Sequence, residues 1–328
     1  MESILVTGAT GFLGQHLVRQ LAAAGHEVRL RVLCRGSSPW DDDPSVEVFH
    51  GDVSSHKDVF RAVQDVKEIY HLAGFVSRNP RQAEALYLTH VEGTRNLCEA
   101  ARESVIDRMV HISSSGTVAV GQTPVARDER SGYTNEVVGE WPYYLSKIFS
   151  EKLALDFFER HGLPVVVVNP SLLLGPGDER GSSTGDIELF LGGEILALPL
   201  GGLNFLDVRD AAAGLIAAMR RGRPGERYLL GGANWTFREL IEKVAALAGV
   251  RRPRLQPSLR TSLWSARLLR RLFPLFGRRF SLDDVSIKMS ALFWYCDSTK
   301  ARTELGFSAR DPMETLRETV EEVRRRIA

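Results

Sequence analysis

Glycine recurs at every third position, Gly8, Gly11 and Gly14, between an apolar run and a helical one, and this constrains the chain more than any other feature. Ile4-Leu5-Val6 reads as a short strand, Thr7-Gly8-Ala9-Thr10-Gly11-Phe12-Leu13-Gly14 turns the chain, and Leu13–Ala24 carries helical periodicity. Glycine at 8 permits a tight turn, glycine at 11 lets the backbone approach a pyrophosphate, and glycine at 14 lets helix and strand pack closely. The free N–H groups at the helix start then present partial positive charge to phosphates. A bare strand–turn–helix joint would need none of this spacing. The pattern predicts a dinucleotide site contributed by Gly8, Thr10, Gly11, Phe12, Leu13 and Gly14.

The first half alternates strand-like and helix-like segments. Ile4–Val6, Val28–Leu33, Val46–Phe49, Glu68–His71, Arg108–Ile112 and Val165–Val168 read as strands. Leu13–Ala24, Lys57–Val63, Glu84–Glu103 and Tyr143–Arg160 read as the helices between them. Helical crossovers imply a Rossmann-type α/β fold with a doubly wound parallel sheet. After Gly175-Pro176-Gly177 the rhythm breaks, and the chain from Ala233 onwards reads as mainly helical, ending in a charged helix at Pro312–Ile327. Residues 1–174 are expected to form the dinucleotide domain, with 204–232 returning to it through a helix at Val208–Arg220 and a strand at Arg227–Leu230. Residues 175–203 and 233–328 would then form a smaller, mainly helical substrate lobe.

The second strand bears on cofactor choice. NAD-binding versions of such folds end it with an acid that holds the ribose 2′-hydroxyl. Here it ends Val32-Leu33-Cys34-Arg35, with no carboxylate before Asp41. A guanidinium at 35 can pair with a 2′-phosphate, so NADP(H) is the expected cofactor and NAD(H) stays open. A solvated surface arginine is the plain alternative.

Trp141-Pro142-Tyr143-Tyr144-Leu145-Ser146-Lys147 carries candidate chemistry. Proline suits the first turn of a helix, and a four-residue spacing sets Tyr143 and Lys147 on one face. A nearby ammonium and the positive nicotinamide are expected to draw the phenol's pKa towards the working pH, making Tyr143 a general acid or base. The strand Val110-His111-Ile112 delivers Ser113-Ser114-Ser115 to the carboxyl edge of the sheet, where a hydroxyl can bond a substrate oxygen. Taken singly, these motifs occur by chance and serine runs are usually turns; their order along the chain gives the signal.

With these residues in place the chain resembles the extended short-chain dehydrogenases/reductases, the NAD-dependent epimerase/dehydratase superfamily. The resemblance rests on the glycine motif, Gly51-Asp52-Val53, His71-Leu72-Ala73-Gly74, Val91-Glu92-Gly93-Thr94, Ser113–Ser115 and Tyr143–Lys147. It continues through Asn169-Pro170-Ser171, Gly175-Pro176-Gly177, Ser298–Arg302 and Leu305-Gly306-Phe307. It implies that Ser115, Tyr143 and Lys147 are catalytic, and that Asp52 and Val53 bracket the adenine. It further implies that Leu72, Ala73 and Gly74 line the cofactor, that Lys147 also bonds its ribose, and that Pro170 and Ser171 close on the nicotinamide. Val168–Pro176 is similar to the dihydroflavonol reductase and cinnamoyl-CoA reductase branch, while Gly225–Gly232 and the C-terminal region resemble hopanoid-associated sugar epimerase-like proteins. The chain departs from the family at His90, where asparagine is usual; a packed or capping histidine is expected there rather than a proton relay.

The principal expectation is therefore an NADP(H)-dependent oxidoreductase interconverting a ketone or aldehyde and an alcohol on a mostly apolar small molecule. A nucleotide-sugar epimerase working by transient oxidation, and a non-catalytic cofactor sensor, are the rivals. Gly116-Thr117 after Ser115, where sugar dehydratases carry an Asp-Glu pair, argues against dehydration. A net charge of +1 gives no pull towards nucleic acid, and Cys34, Cys98 and Cys296 show neither zinc nor disulfide spacing. No metal is expected, and a reducing cytoplasm is the expected location, since Met1 leads directly into the first strand. Arg251–Arg279 holds nine arginines and no acid among apolar residues. It reads as a pocket cover, an acidic-group site, a peripheral membrane contact or ordinary packing with a basic face. A homodimer through the helices of Glu84–Glu103 and Tyr143–Arg160 is a further expectation, with Leu86, Leu97, Leu153 and Phe157 as candidate apolar contacts or as sheet-facing residues.

Overall fold

The computed structural model describes residues 3–24, 29–276 and 283–327. Val28, expected in the second strand, and residues 277–279 of the arginine-rich stretch lie outside them.

Seven strands form the main sheet: β1 (Ser3–Thr7), β2 (Arg29–Cys34), β3 (Val46–His50), β4 (Glu68–His71), β5 (Arg108–Ile112), β6 (Val165–Pro170) and, later in the chain, β9 (Arg227–Leu230). Their order is β3-β2-β1-β4-β5-β6-β9, with every pairing parallel. Parallel neighbours need crossovers, and these put helices on both faces. One face is covered by α1 (Phe12–Ala23) and α8 (Val208–Arg221), which pack on each other; the other by α2 (His56–Ala62), α4 (Gly93–Ser104) and α6 (Pro142–His161). Alternate residues of β6 serve the two cores: Val166 and Val168 join the α1/α8 side, Val165 and Val167 the α6 side. Each such fully buried aliphatic side chain contributes about 1.5–3 kcal/mol of transfer free energy. The strand order reverses direction between β1 and β4, so the crevice at their carboxyl ends is the natural ligand site.

The rest of the chain is organised around a second sheet that sequence reading did not anticipate. β8 (Gly202–Asp207) pairs antiparallel with β10 (Ala233–Thr236) and parallel with both β7 (Leu172–Leu174) and β11 (Phe293–Trp294). Helices α7 (Gly185–Leu191), α9 (Phe237–Ala248) and α12 (Pro312–Ile327) pack with it around Leu174, Phe190, Phe205, Leu240, Val244 and Leu316. The lobe is mainly helical, as expected, and its helices pack with a small mixed sheet. α10 (Leu259–Leu272) and α11 (Asp284–Met289) lie at its edge and touch each other. The short α3 (Ala83–Tyr87) and α5 (Asn135–Val138) complete the helices used below.

Candidate active site

The cradle forms at the end of β1. Gly11 caps α1 without a side-chain bond, and the first turn of the helix carries no acid, so its N–H groups face the crevice. Gly8 has φ +74°, and a Cβ there would stand 2.6 Å from the Leu72 carbonyl. A Cβ on Gly14 would run into the Gly8 carbonyl oxygen. Two of the three glycines are therefore demanded by close backbone approach, the physical basis of a phosphate cradle.

A cavity of about 1290 Å³ runs from this cradle past α6 to α10. Every residue expected at the site lines it except Asp52. Two of the lining hydroxyls, Ser113 Oγ and Ser171 Oγ, are buried without a partner among the described residues, in keeping with a site shaped for a polar ligand. Cradle, helix terminus and these hydroxyls together fit a dinucleotide. Arg35 follows β2 at the rim, with its exposed Nη1 3.8 Å from Asp52 Oδ2. Asp52 instead accepts from Ser54 N–H and Oγ, both at 2.8 Å, in a local turn. Ser38 belongs to its own loop, accepting from Trp40 N–H at 3.2 Å, whereas Ser37 faces the cavity.

Pro142 opens α6 at its first turn, and Tyr143 and Lys147 share the face turned to the cavity. The Ser114 side chain acts on the Tyr143 phenol in the sense that favours its ionised form. Ser115, the residue the family pattern singles out, is buried on the same cavity wall. Burial pushes the phenol up to about 12, and Ser114 opposes only part of that. The expected lowering of the Tyr143 pKa by Lys147 is therefore not produced by the chain itself. The reason is geometric: Lys147 Nζ is buried and donates to the Ile112 carbonyl at 2.9 Å. Burial in turn lowers the Lys147 ammonium to about 8, with Glu151 opposing. Tyr144 stacks on Trp294 with ring centroids 5.0 Å apart and serves as a cavity wall.

Sequence reading took His90 for a packed or capping residue, and it is buried as expected, but it also joins a hydrogen-bond chain of fixed direction. A π-helical turn, Leu88–Glu92, turns its ring towards α6. Nε2 accepts from Phe75 N–H at 3.1 Å, which leaves Nδ1 to donate to Ser146 Oγ at 2.8 Å. Ser146 Oγ donates to the Tyr143 carbonyl at 2.7 Å. Behind His90, Thr94 Oγ1 donates to its carbonyl at 2.6 Å and so accepts from His71 Nε2 at 3.0 Å. His71 Nδ1 then accepts from Thr7 Oγ1 at 2.8 Å, and Thr7 Oγ1 accepts from Ala73 N–H at 3.2 Å. The chain ties the cradle strand to the backbone of Tyr143 and requires both histidines neutral. Burial, the largest cause, and then Lys147 hold the pKa values of both well below the ordinary range for the residue.

Beyond Tyr143 the cavity wall turns apolar, with Phe190, Leu198, Leu240, Ile241, Leu269 and Met289. Arg78 reaches it but is bidentate to Asp186, at 3.0 and 2.8 Å. Of the candidate dimer contacts, Leu86, Leu97 and Phe157 are buried and Leu153 packs against the α6-side core, so they face inward; Tyr87, Leu88 and Phe149 are the exposed apolar residues there.

The sequence model of the NAD dependent epimerase/dehydratase family matches residues 4–231. A putative dihydroflavonol 4-reductase of Synechocystis sp. is 33% identical over 97% of this chain and 94% of its own. Sterol demethylase protein B of Methylococcus capsulatus is 35% identical over 92% of each. The crystal structure of gox2253 superposes with a TM-score of 0.84 at 30% identity, covering 99% of both chains. Cradle, Tyr143–Lys147 helix and full-length similarity agree: the chain belongs to the NAD-dependent epimerase/dehydratase family of extended short-chain dehydrogenases/reductases and is an NAD(P)-dependent enzyme.

Proposed function

We propose that this protein interconverts a ketone or aldehyde and an alcohol on a mostly apolar small molecule, with NADP(H) as the preferred cofactor. The observation that carries the reading is the continuity of one cavity from the glycine cradle, past Tyr143, to an apolar wall whose nearby Arg78 is already paired. The names of the two relatives, a dihydroflavonol reductase and a sterol demethylase component, support an apolar ring-containing substrate.

A bound nicotinamide dinucleotide supplies or accepts the hydride. The chain does the rest. Tyr143, with a phenol at about 12, keeps its proton at neutral pH and can deliver it to the substrate oxygen as negative charge develops there. Ser114 orients the phenol and Ser115 donates a hydrogen bond to the same substrate oxygen. Lys147, anchored on Ile112, would bond the cofactor's ribose. Gly8, Thr10, Gly11, Phe12, Leu13 and Gly14 would hold the pyrophosphate, Val53 would border the adenine, Leu72–Gly74 would line the cofactor, and Pro170 and Ser171 would border the nicotinamide. Arg35, at the rim 3.8 Å from Asp52, would pair with a 2′-phosphate. We assign the cofactor lobe to the seven-stranded sheet and the substrate lobe to the smaller one, which moves Leu172–Leu174 and residues 204–207 out of the cofactor lobe expected from the sequence, and Tyr87, Leu88 and Phe149 would meet a second copy of the chain. We place the protein in the cytoplasm; among the described residues no helix is long and apolar enough to cross a membrane.

The test is NADPH absorbance against a panel of ketones, aldehydes, acyl-CoAs and sterols, with UDP-hexoses as the contrasting arm. Turnover of an apolar carbonyl or alcohol supports the reading. Epimerisation of a UDP-hexose without net cofactor change would replace it with the epimerase, and cofactor binding without any turnover would leave a sensor.

A further inference from the structure

We infer that α10 is a docking surface for an anionic lipid bilayer, set so that the cavity mouth opens onto the membrane. The inference rests on the apolar-substrate reading only for its purpose, since docking would let such a substrate pass between bilayer and cavity without crossing water.

The helix has two faces with different tasks. Ser262, Ser265, Ala266 and Leu269 line the cavity, and Ala266 is buried. The opposite face carries Trp264, 68% exposed, with Leu268 and Leu272 continuing the stripe at four-residue intervals, 42% and 39% exposed. Arg260, Arg267 and Arg271 flank that stripe and are exposed. Large apolar side chains standing together in water cost hydration, and an indole beside guanidinium groups is the composition that sits at a lipid headgroup boundary.

The patch extends beyond the helix. Leu255 is 74% exposed, and its carbonyl accepts from Leu198 N–H at 2.8 Å, which joins it to the 196–200 loop. Leu196 on that loop is 49% exposed and also lines the cavity. The exposed apolar surface thus reaches, at Leu196, a residue that lines the cavity.

Charge selects the partner. Residues 251–279 contain nine arginines and no acid. Arg252 pairs with Glu242, and Arg267 and Arg270 with Asp284, while Arg260 and Arg271 point outward beside Trp264. A flat anionic surface satisfies such a rim, each arginine strengthening attachment by about fivefold, and long side chains can snorkel while the stripe inserts.

The experiment is co-sedimentation of the full chain with vesicles of phosphatidylcholine alone or mixed with phosphatidylglycerol. The protein should pellet with the mixed vesicles at least about tenfold more strongly than with neutral ones, less so as salt rises. Trp264→Ser with Leu268→Ser, and separately Arg260→Glu with Arg271→Glu, should each weaken binding at least about tenfold. NADPH fluorescence and the melting temperature should stay unchanged in both. Wild type remaining in the supernatant with mixed vesicles overturns the inference, as does binding that both double variants retain. A dimer that Trp264→Ser with Leu268→Ser dissociates, in a protein that ignores vesicles, would assign the face to a second copy instead. Vesicle binding by a protein that turns over no carbonyl would keep the docking surface and remove the proposed reaction; the reverse result would do the opposite.

Discussion

Lowering the pH should unfold this protein well before its carboxylates are neutralised. His71, His90 and His111 are all buried, and burial keeps each from taking a proton in the folded state. For His71 the folded pKa is about 3, against 6.5 for the free side chain. Between those values the unfolded chain binds the proton and the folded chain does not, so acid favours unfolding. The associated stability is complete above the unfolded value and is lost as pH falls towards 3. At about pH 5 the deficit from His71 alone is about 2 kcal/mol, from 1.36 kcal/mol per pH unit. His90 and His111 act in the same direction, so the slope below about pH 6 should approach three protons, about 4 kcal/mol per unit, against a total stability of only about 5–15 kcal/mol. Urea titrations at constant ionic strength from about pH 7.5 to 5 measure that slope directly. His111→Leu provides the internal control: among the described residues Nδ1 of His111 has no partner and its Nε2 makes one 3.4 Å contact with Ser150, so little is lost when it is replaced. The variant should reduce the slope by about one proton. A wild-type stability that stays level from about pH 7 to 5, or a slope that His111→Leu leaves intact, would refute the claim that these imidazoles are held neutral.

Three further outcomes follow from the site. Ser114→Ala should move the basic limb of the pH–rate profile upward, because its hydroxyl lowers the Tyr143 pKa, whereas Ser115→Ala should reduce kcat by about a hundredfold without moving the limb; exchanged results would swap the two roles. Arg35→Ala should weaken NADP binding by roughly ten- to a hundredfold and leave NAD binding unchanged, and equal loss for both in a fluorescence titration would remove Arg35 as selector. His90→Leu leaves Phe75 N–H without its acceptor, a cost of about 1–3 kcal/mol, and should lower kcat with little change in KM, while His90→Asn restores much of it; a lowered melting temperature with normal kcat would make the residue purely structural.

The main sheet was legible because its signals are local. Val165–Val168 is a β-branched run between a helix and a turn, and Gly8, Gly11 and Gly14 are spaced for a strand–turn–helix. The observed strand and helix limits differ from the expected ones by one or two residues, as at Val165–Pro170 and Pro142–His161. The small sheet was not legible. Leu172-Leu173-Leu174 is too short to show a period, and the two-residue β11 is defined by its partner Gly202–Leu203 rather than by its own sequence. At the site, Tyr143 and Lys147 announce themselves by spacing, but which serine of 113–115 acts on the Tyr143 phenol depends on how β5 ends. His90 offered a weaker clue. Its neighbour Thr94 stands four residues on, a helical spacing that the His71 contact makes meaningful only once β4 and α4 are side by side. Asp52 shows the opposite case: its motif was visible, yet its carboxylate is taken up by Ser54 and Arg35.

The role of Tyr143 is tested most directly by stopped-flow NADPH absorbance with a carbonyl from the panel, comparing wild type with Tyr143→Phe at saturating cofactor. The ring that packs beside His90 is kept and only the proton-bearing oxygen is lost. The hydride-transfer rate should fall by about a hundredfold or more while NADPH affinity stays within about twofold of wild type. A Tyr143→Phe variant that oxidises NADPH at close to the wild-type rate would contradict the assignment of Tyr143 as the proton donor.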